Sequence, residues 1–395
     1  MGNFVGGVGE CAFFVNINNN TTFTKNFVTK NFVIMENPFR FGVIVEKDCF
    51  TDREKERQQI KQSLNSGNHL ILISPRRFGK TSLVKDATKN LKRPIIYLDL
   101  QLITDVSDFT ARLLRHVLKI DKWEKIKQTI AAFRIVPTIS LDPQTNAMDI
   151  SFQPSMTKDW FLALEDAFNL IEKIGENGKK PIVILDEFQE ILTIHKNLDK
   201  QLRSILQHHQ HVNYLFLGSI ESMMKDIFEK KKSPFYHFGQ LLGLKKIPYP
   251  DFLFFLENKL KKITREANRL SEQILEFSTC HPYYTQQLAF YCWNFLERNQ
   301  FVENIIEIVV SQIVKEHDTD YERLWNTLNK TDQKILIELS TKKVLPLQEI
   351  TVAMPTSTVY SGLKRLFTKG YIIYNDKYEL DDPFFKRWII EKRNE

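Results

Sequence analysis

The chain has 395 residues, 43% of them hydrophobic, and a net charge of +7, enough material for about two to three domains of ordinary size. It carries no run of about 18 apolar residues and no basic, apolar and small-residue succession at its start, so neither a membrane span nor a secretory leader is expected. Cys11, Cys49, Cys280 and Cys292 are scattered without a Cys-x-x-Cys pair, so neither a zinc site nor a disulfide framework is expected, and the reducing cytoplasm is the expected compartment.

Residues 1–34 stand apart. They are rich in Asn, Thr, Phe and Gly, as in Asn16-Ile17-Asn18-Asn19-Asn20, and sustain neither a helical nor a strand period. A disordered or adventitious extension is expected there, with Met35 as the start of the globular sequence. From about Pro38 the pattern is α/β. A helix over 52–64 is stopped by Asn65-Ser66-Gly67, and 69–73 is an apolar run of strand length. A helix over 81–90, a strand over 94–100, a hairpin of 138–141 and 148–152 around Asp142-Pro143-Gln144-Thr145-Asn146, and a helix over 160–174 follow. Strands over 181–185 and 214–217 complete a parallel sheet with helices on both faces.

Beyond Pro250 the strands stop. Residues 252–314 read as helices broken at Cys280-His281-Pro282-Tyr283. A helix over 331–339, a short one near 347–350 and a third ending at Lys369-Gly370 precede a hairpin split by Asn375-Asp376, which together make a winged-helix pattern. The expected domains are a core over 35–249, a helical lid over 250–328 and a winged helix over 329–395.

Chemistry concentrates between the first strand and its helix. Ser74-Pro75-Arg76-Arg77-Phe78-Gly79-Lys80-Thr81 matches the phosphate-binding loop Gly-x-x-x-x-Gly-Lys-Ser/Thr, with Ser74 in place of the first glycine. Backbone N–H groups through Ser82 and the helix N-terminus would hold phosphates. Lys80 would meet the β- and γ-phosphates, and Thr81 would offer its hydroxyl to Mg²⁺. Ser74 is expected to take the strained turn a glycine would have made. A bare Gly-Lys-Ser/Thr arises by chance in about one of several chains of this length. The second half of the motif decides the matter: Ile182-Val183-Ile184-Leu185-Asp186-Glu187 is a buried strand ending in two carboxylates, where ligands gather in parallel sheets. Asp186 would join the magnesium shell and Glu187 would activate a water. The pair points to ATP hydrolysis rather than binding alone.

These stretches resemble the archaeal-type ATPases, a branch of the STAND and AAA+ P-loop NTPases. The resemblance rests on the loop from Ser74 to Leu83, on Leu185-Asp186-Glu187-Phe188-Gln189, on Phe50-Thr51-Asp52-Arg53-Glu54 and on Leu215-Phe216-Leu217-Gly218-Ser219. It implies an AAA+-like α/β core with a helical lid and a C-terminal winged helix. It also implies a sensor role for Ser219 near the γ-phosphate, alongside the plainer reading of a helix N-cap before Glu221. His281-Pro282 matches the family's lid motif; a helix break in a packed corner is the other reading. Arg53 is either on the adenine side of the pocket or, as the preferred expectation, in a surface ion pair. The chain departs from the family at Ser233-Pro234-Phe235-Tyr236-His237-Phe238-Gly239, which lacks the arginine expected there. Arg203, Lys231 and Lys232 are weak substitutes, each read as a solvated charge.

Other features carry less. His208, His209 and His211 fall on different helical faces with no carboxylate pair to complete a metal site, so a polar helix end is expected. The phenylalanines after Met35 read as core. In the winged helix, Lys364, Arg365, Lys369 and Lys377 suit a DNA backbone, while Asp376, Glu379, Asp381 and Asp382 would repel it. An intramolecular clamp or a protein contact is preferred over DNA. The expected protein is an ATP-hydrolysing switch that closes its lid and winged helix on ATP and releases them after hydrolysis. Its output would pass through a protein partner or a homo-oligomer. A DNA-associated AAA+ ATPase and a nucleotide-gated binder with negligible turnover remain the alternatives.

Overall fold

The computed structural model describes residues 36–43, 53–120, 123–141, 148–151, 159–341, 354–374 and 377–393. The extension over 1–34, the start at Met35, Phe50-Thr51-Asp52, the turn at 142–146, the helix near 347–350 and the Asn375-Asp376 turn lie outside them. The chain parts into Met1–Glu36 and Asn37–Glu395, and every element below belongs to the second unit.

Helix α1 (Glu54–Ser66) ends at Gly67, whose φ of 82° is the left-handed cap that glycine adopts without a Cβ penalty. Strand β1 (Leu70–Ile73), α2 (Lys80–Thr88) and β2 (Ile95–Asp99) follow. Helices α3 (Val106–Ile120) and α4 (Trp123–Ala131), which the periodicity reading had not placed, lead into an antiparallel pair, β3 (Thr138–Leu141) and β4 (Met148–Ser151). Then come α5 (Trp160–Ile174), β5 (Ile182–Asp186), α6 (Ile191–Ile194), α7 (Leu198–Leu206), β6 (Asn213–Gly218), α8 (Glu221–Phe228) and β7 (Gln240–Gly243). The sheet order is β2-β5-β6-β1-β7 with every pairing parallel. The expected four strands lie side by side in it, β2 as one edge, and β7 is an unexpected second edge.

Strands β1, β5 and β6 are buried along their whole length and largely apolar because both faces are covered. Ile71, Ile73, Val183, Leu185, Tyr214 and Phe216 face one core with α3, α5 and α7. Leu70, Leu72, Ile182, Ile184, Leu215 and Leu217 face the other with α1 and α2. The alternation is the strand period of two, spent on two cores. The C-terminal ends of β1, β5 and β6 therefore open at one edge of the sheet, where Ser74, Asp186 and Ser219 emerge.

The rest is helical except for one hairpin: α9 (Tyr249–Leu260), α10 (Ala267–Ser278), α11 (Pro282–Arg298), α12 (Ile305–Glu316), α13 (Asp318–Asn326), α14 (Lys330–Thr341) and α15 (Thr356–Thr368). Antiparallel β8 (Ile372–Tyr374) and β9 (Tyr378–Leu380) then lead to α16 (Pro383–Arg393), an unexpected closing helix. α16 packs on α12 and α14. Consequently residues expected in the lid and in the winged helix share one core, running from Phe252 and Trp293 to Leu363 and Trp388. No helix among the described residues is long and apolar enough to cross a membrane.

Candidate nucleotide-binding site

The loop between β1 and α2 is tied at its start to the neighbouring strand, with Ser74 N–H donating to the Gly218 carbonyl at 3.3 Å. The strain expected at Ser74 is not found. The left-handed residues of the loop are Arg77 (φ 63°) and Gly79 (φ 85°), so the turn is made later, and a serine is accommodated where the motif has glycine. Arg77 bears the Cβ cost of that conformation. Its guanidinium donates to the Tyr284 hydroxyl at 3.1 Å and lies 4.7 Å from the Tyr283 ring centroid, which ties the loop to α11.

Lys80 opens α2 and is 6% exposed. Its ammonium donates to the carbonyls of Ser74 (3.3 Å) and Pro75 (3.4 Å), so the loop folds back over it. Burial lowers its pKa, against the opposing pull of Glu187 and Asp186. One residue on, the Thr81 hydroxyl donates to Asp186 Oδ2 at 2.9 Å, and the Tyr97 hydroxyl donates to the same oxygen. Tyr97 reaches it because β2 lies beside β5, with Asp99 paired to Asp186. Burial, and next the charge of Asp186, hold the Tyr97 phenol far above its ordinary pKa. Asp99 is likewise raised by burial, with Asp186 and Glu187 adding to it.

Glu187 leaves β5 with a left-handed φ of 51°. Its Oε2 accepts from Ser219 Oγ (2.5 Å) and Gln189 Nε2 (2.6 Å). The N-cap reading of Ser219 fails, because Ile220 occupies the N-cap of α8 and no side chain caps it. Lys80, Thr81 and Glu187 line a cavity of about 640 Å³ together with Phe41, Val43, Ile247, Pro282 and Tyr283. Charged and polar groups beside apolar and aromatic ones in one cavity suit a phosphorylated, flat-ringed ligand.

Arg53 corrects the surface expectation. It is 6% exposed and lines the cavity. It donates to the carbonyls of Phe78 (3.2 Å) and Lys245 (2.9 Å) while pairing with Glu56 at 3.0 Å. Burial costs are met because a guanidinium has enough donors for all three. His281 is 1% exposed, in the packed corner at a helix break. It caps α11, accepting from Tyr283 N–H at 3.2 Å, and its ring meets Phe78 of the loop edge-on at 4.8 Å. Pro282 takes the first helical position, which needs no N–H.

Residues 50–288 match the ATPase domain found predominantly in Archaea. The chain belongs to that family. The chain is 28% identical over 187 residues to an uncharacterized ATP-binding protein of Pyrococcus abyssi, covering 44% of this chain and 51% of that one. It is 28% identical over 163 residues to another from Methanocaldococcus jannaschii, covering 38% and 45%. The chain thus spans about half the length of these relatives. In structure it is similar to a Walker-type ATPase of Pyrococcus abyssi, with a TM-score of 0.62 at 17% identity over 87% of this chain and 97% of that one. The fold is that of a Walker-type, P-loop ATPase.

Around the ATPase site, several other expectations change. Arg203 is not a free charge: it donates to the Pro234 carbonyl at 2.9 Å and stacks 4.5 Å from Phe238. Lys231 and Lys232 are exposed. His209 is buried against Tyr214 and Asn169. Carboxylates do approach His211, since Glu172 and Glu176 bring oxygens within 4.8 Å. Glu172, however, is occupied in capping the Gln210 and His211 N–H groups.

The winged-helix acids also face differently from the expectation. Glu379 pairs with Lys246 at 2.7 Å, and Asp381 Oδ1 lies 3.3 Å from His281 Nε2. Asp382 caps α16 and accepts from Tyr321; burial raises its pKa. All three turn toward the lid or the segment just before it, while Asp376 is outside the described residues. Of the basic residues, Arg365 is held by buried Asp332 at 2.5 and 2.9 Å, and Lys364, Lys369 and Lys377 are exposed.

Proposed function

We propose that the chain binds ATP with Mg²⁺ in this cavity, hydrolyses it with water activated by Glu187, and uses the cycle as a molecular switch of the STAND and AAA+ type. The observation that carries the reading is the hold on Glu187. Ser219 and Gln189 both grip Oε2, so the carboxylate is oriented and Oε1, unpartnered among the described residues, is left to accept a proton from water. Thr81 and Asp186 bring a hydroxyl and a carboxylate together at 2.9 Å, an all-oxygen pair that fits a hard dication. Those two residues would hold Mg²⁺, directly or through water, and the ion would neutralise phosphate charge. Backbone N–H groups of the loop over 74–82 would cradle the phosphates, with Lys80 between them. Ser219, bonded to Glu187, would sense the γ-phosphate, and His281-Pro282 would carry that state to the lid.

Residues 35–249 would act as the core, 250–328 as the lid and 329–395 as the winged helix. Because the last two share one core, they would swing together. Titration of ATP into wild type and Lys80→Ala tests the site, with affinity expected to fall about a hundredfold in the variant; undiminished affinity would refute it. Light scattering in ADP and in a slowly hydrolysed ATP analogue tests assembly with a second copy.

A second reading, DNA contact through α15, gains support from the inward-turned acids, which leave Lys364 and Lys369 exposed on an outer face. It predicts duplex binding that weakens steeply with salt and is lost in a Lys364→Ala, Lys369→Ala variant.

A further inference from the structure

We infer that Arg76 is the arginine that stabilises the γ-phosphate during hydrolysis, supplied from within the same chain by the phosphate loop itself. The inference rests on the ATP reading of the cavity.

The chemistry sets the demand. Water adds to the γ-phosphorus while the bond to the β–γ bridging oxygen breaks. ADP leaves with that electron pair, and the water's proton passes to Glu187. Negative charge builds on the γ-oxygens and the bridge, and a planar, two-pronged guanidinium suits it well. Lys80, beneath the loop, and the Mg²⁺ that Thr81 and Asp186 would hold meet only part of it.

The loop carries two adjacent arginines with different fates. Arg77 is committed to α11 through Tyr284 and Tyr283. Arg53, on the same cavity wall, has Glu56 and two carbonyls. Arg203 is bound to Pro234 and Phe238. Arg76 is exposed and has neither hydrogen bond nor ion pair among the described residues. It is also the residue with reach. It lines the nucleotide cavity with Lys80, Thr81 and Glu187, and a second cavity of about 480 Å³ with Ser219 and Glu221. These cavities adjoin where Glu187 and Ser219 meet, the side on which a γ-phosphate and its attacking water would lie. An unpaired arginine does nothing for the fold here; beside an anion it has a task.

The test compares Arg76→Ala, Arg76→Lys and Lys80→Ala for ADP affinity, ATP affinity and phosphate release. Arg76→Ala is expected to keep ADP affinity within about threefold and to lose phosphate release by about a thousandfold, in the range that arginines of this kind supply. Arg76→Lys is expected to recover little, because the fork is gone. Phosphate release from Arg76→Ala near the wild-type rate, while Lys80→Ala has lost ATP affinity, overturns the inference alone. Undiminished ATP affinity in Lys80→Ala removes the site beneath it. Mixing Arg76→Ala with Glu187→Gln separates the source of the arginine. A mixture that stays inactive supports supply from the same chain, and restored activity, from a site completed by a neighbouring copy, overturns it.

Discussion

Replacing Arg77 measures how firmly the phosphate loop is fastened to the lid. In Arg77→Ala the hydrogen bond to Tyr284 is lost, at about 1 kcal/mol, and the contact with the Tyr283 ring, at about another 1 kcal/mol. The left-handed φ of 63° stays, so Ala keeps the conformational penalty that Arg had. Arg77→Gly loses the same contacts but regains about 1 kcal/mol by relieving that penalty. The expected order of stability is wild type, then the glycine variant about 1 kcal/mol below, then the alanine variant about 2 kcal/mol below. Urea unfolding of the whole chain reads the order, and a cycle with Tyr284→Phe isolates the pair, with a coupling of about 1 kcal/mol expected. An alanine variant within about 0.5 kcal/mol of wild type, or a glycine variant less stable than alanine, would refute the reasoning.

Burial lowers the His69 pKa from 6.5 to about 4, with nearby His209, Arg203 and Lys180 adding to the effect. The unfolded chain therefore takes up that proton first, and the stability present above pH 6.5 is lost as pH falls toward 4, by at most about 3 kcal/mol. His69→Gln should flatten this acid limb in pH-dependent unfolding. Trp388 is fully buried in the core shared by lid and winged helix, so Trp388→Ala should cost about 3–5 kcal/mol. Hydrogen exchange should then accelerate in α9–α12 as well as in α14–α16, and acceleration confined to the latter would contradict a shared core. Asp186→Asn should abolish the Mg²⁺ dependence of ATP binding while leaving metal-free binding in place, as titrations with and without Mg²⁺ would show.

What the sequence made legible follows from the range of the interactions. The sheet centre was readable because β1, β5 and β6 are covered on both faces and are largely apolar. Edge strand β7 was not, because Gln240-Leu241-Leu242-Gly243 is largely exposed and pairs on one side only. The motif spacing located Lys80, Thr81, Asp186 and Glu187, since the loop and the strand end are local features. Arg53 escaped because its partners are 25 and 192 residues away, and a surface pair with Glu56 was the only contact visible at short range. Tyr97 had one local signal, a hydroxyl in an otherwise apolar strand, but its target became apparent only through the register of β2 on β5. The wing acids were counted as a solvent-facing charge, and their partners Lys246, His281 and Tyr321 lie in the lid and the segment before it.

The central claim is that Glu187, oriented by Ser219 and Gln189, activates the water that cleaves ATP. Single-turnover phosphate release by wild type and Glu187→Gln, at saturating ATP and Mg²⁺, tests it most directly. The account predicts equal ATP affinity and release slowed by about 10²–10⁴-fold in the variant. Release at the same rate from both proteins would contradict it.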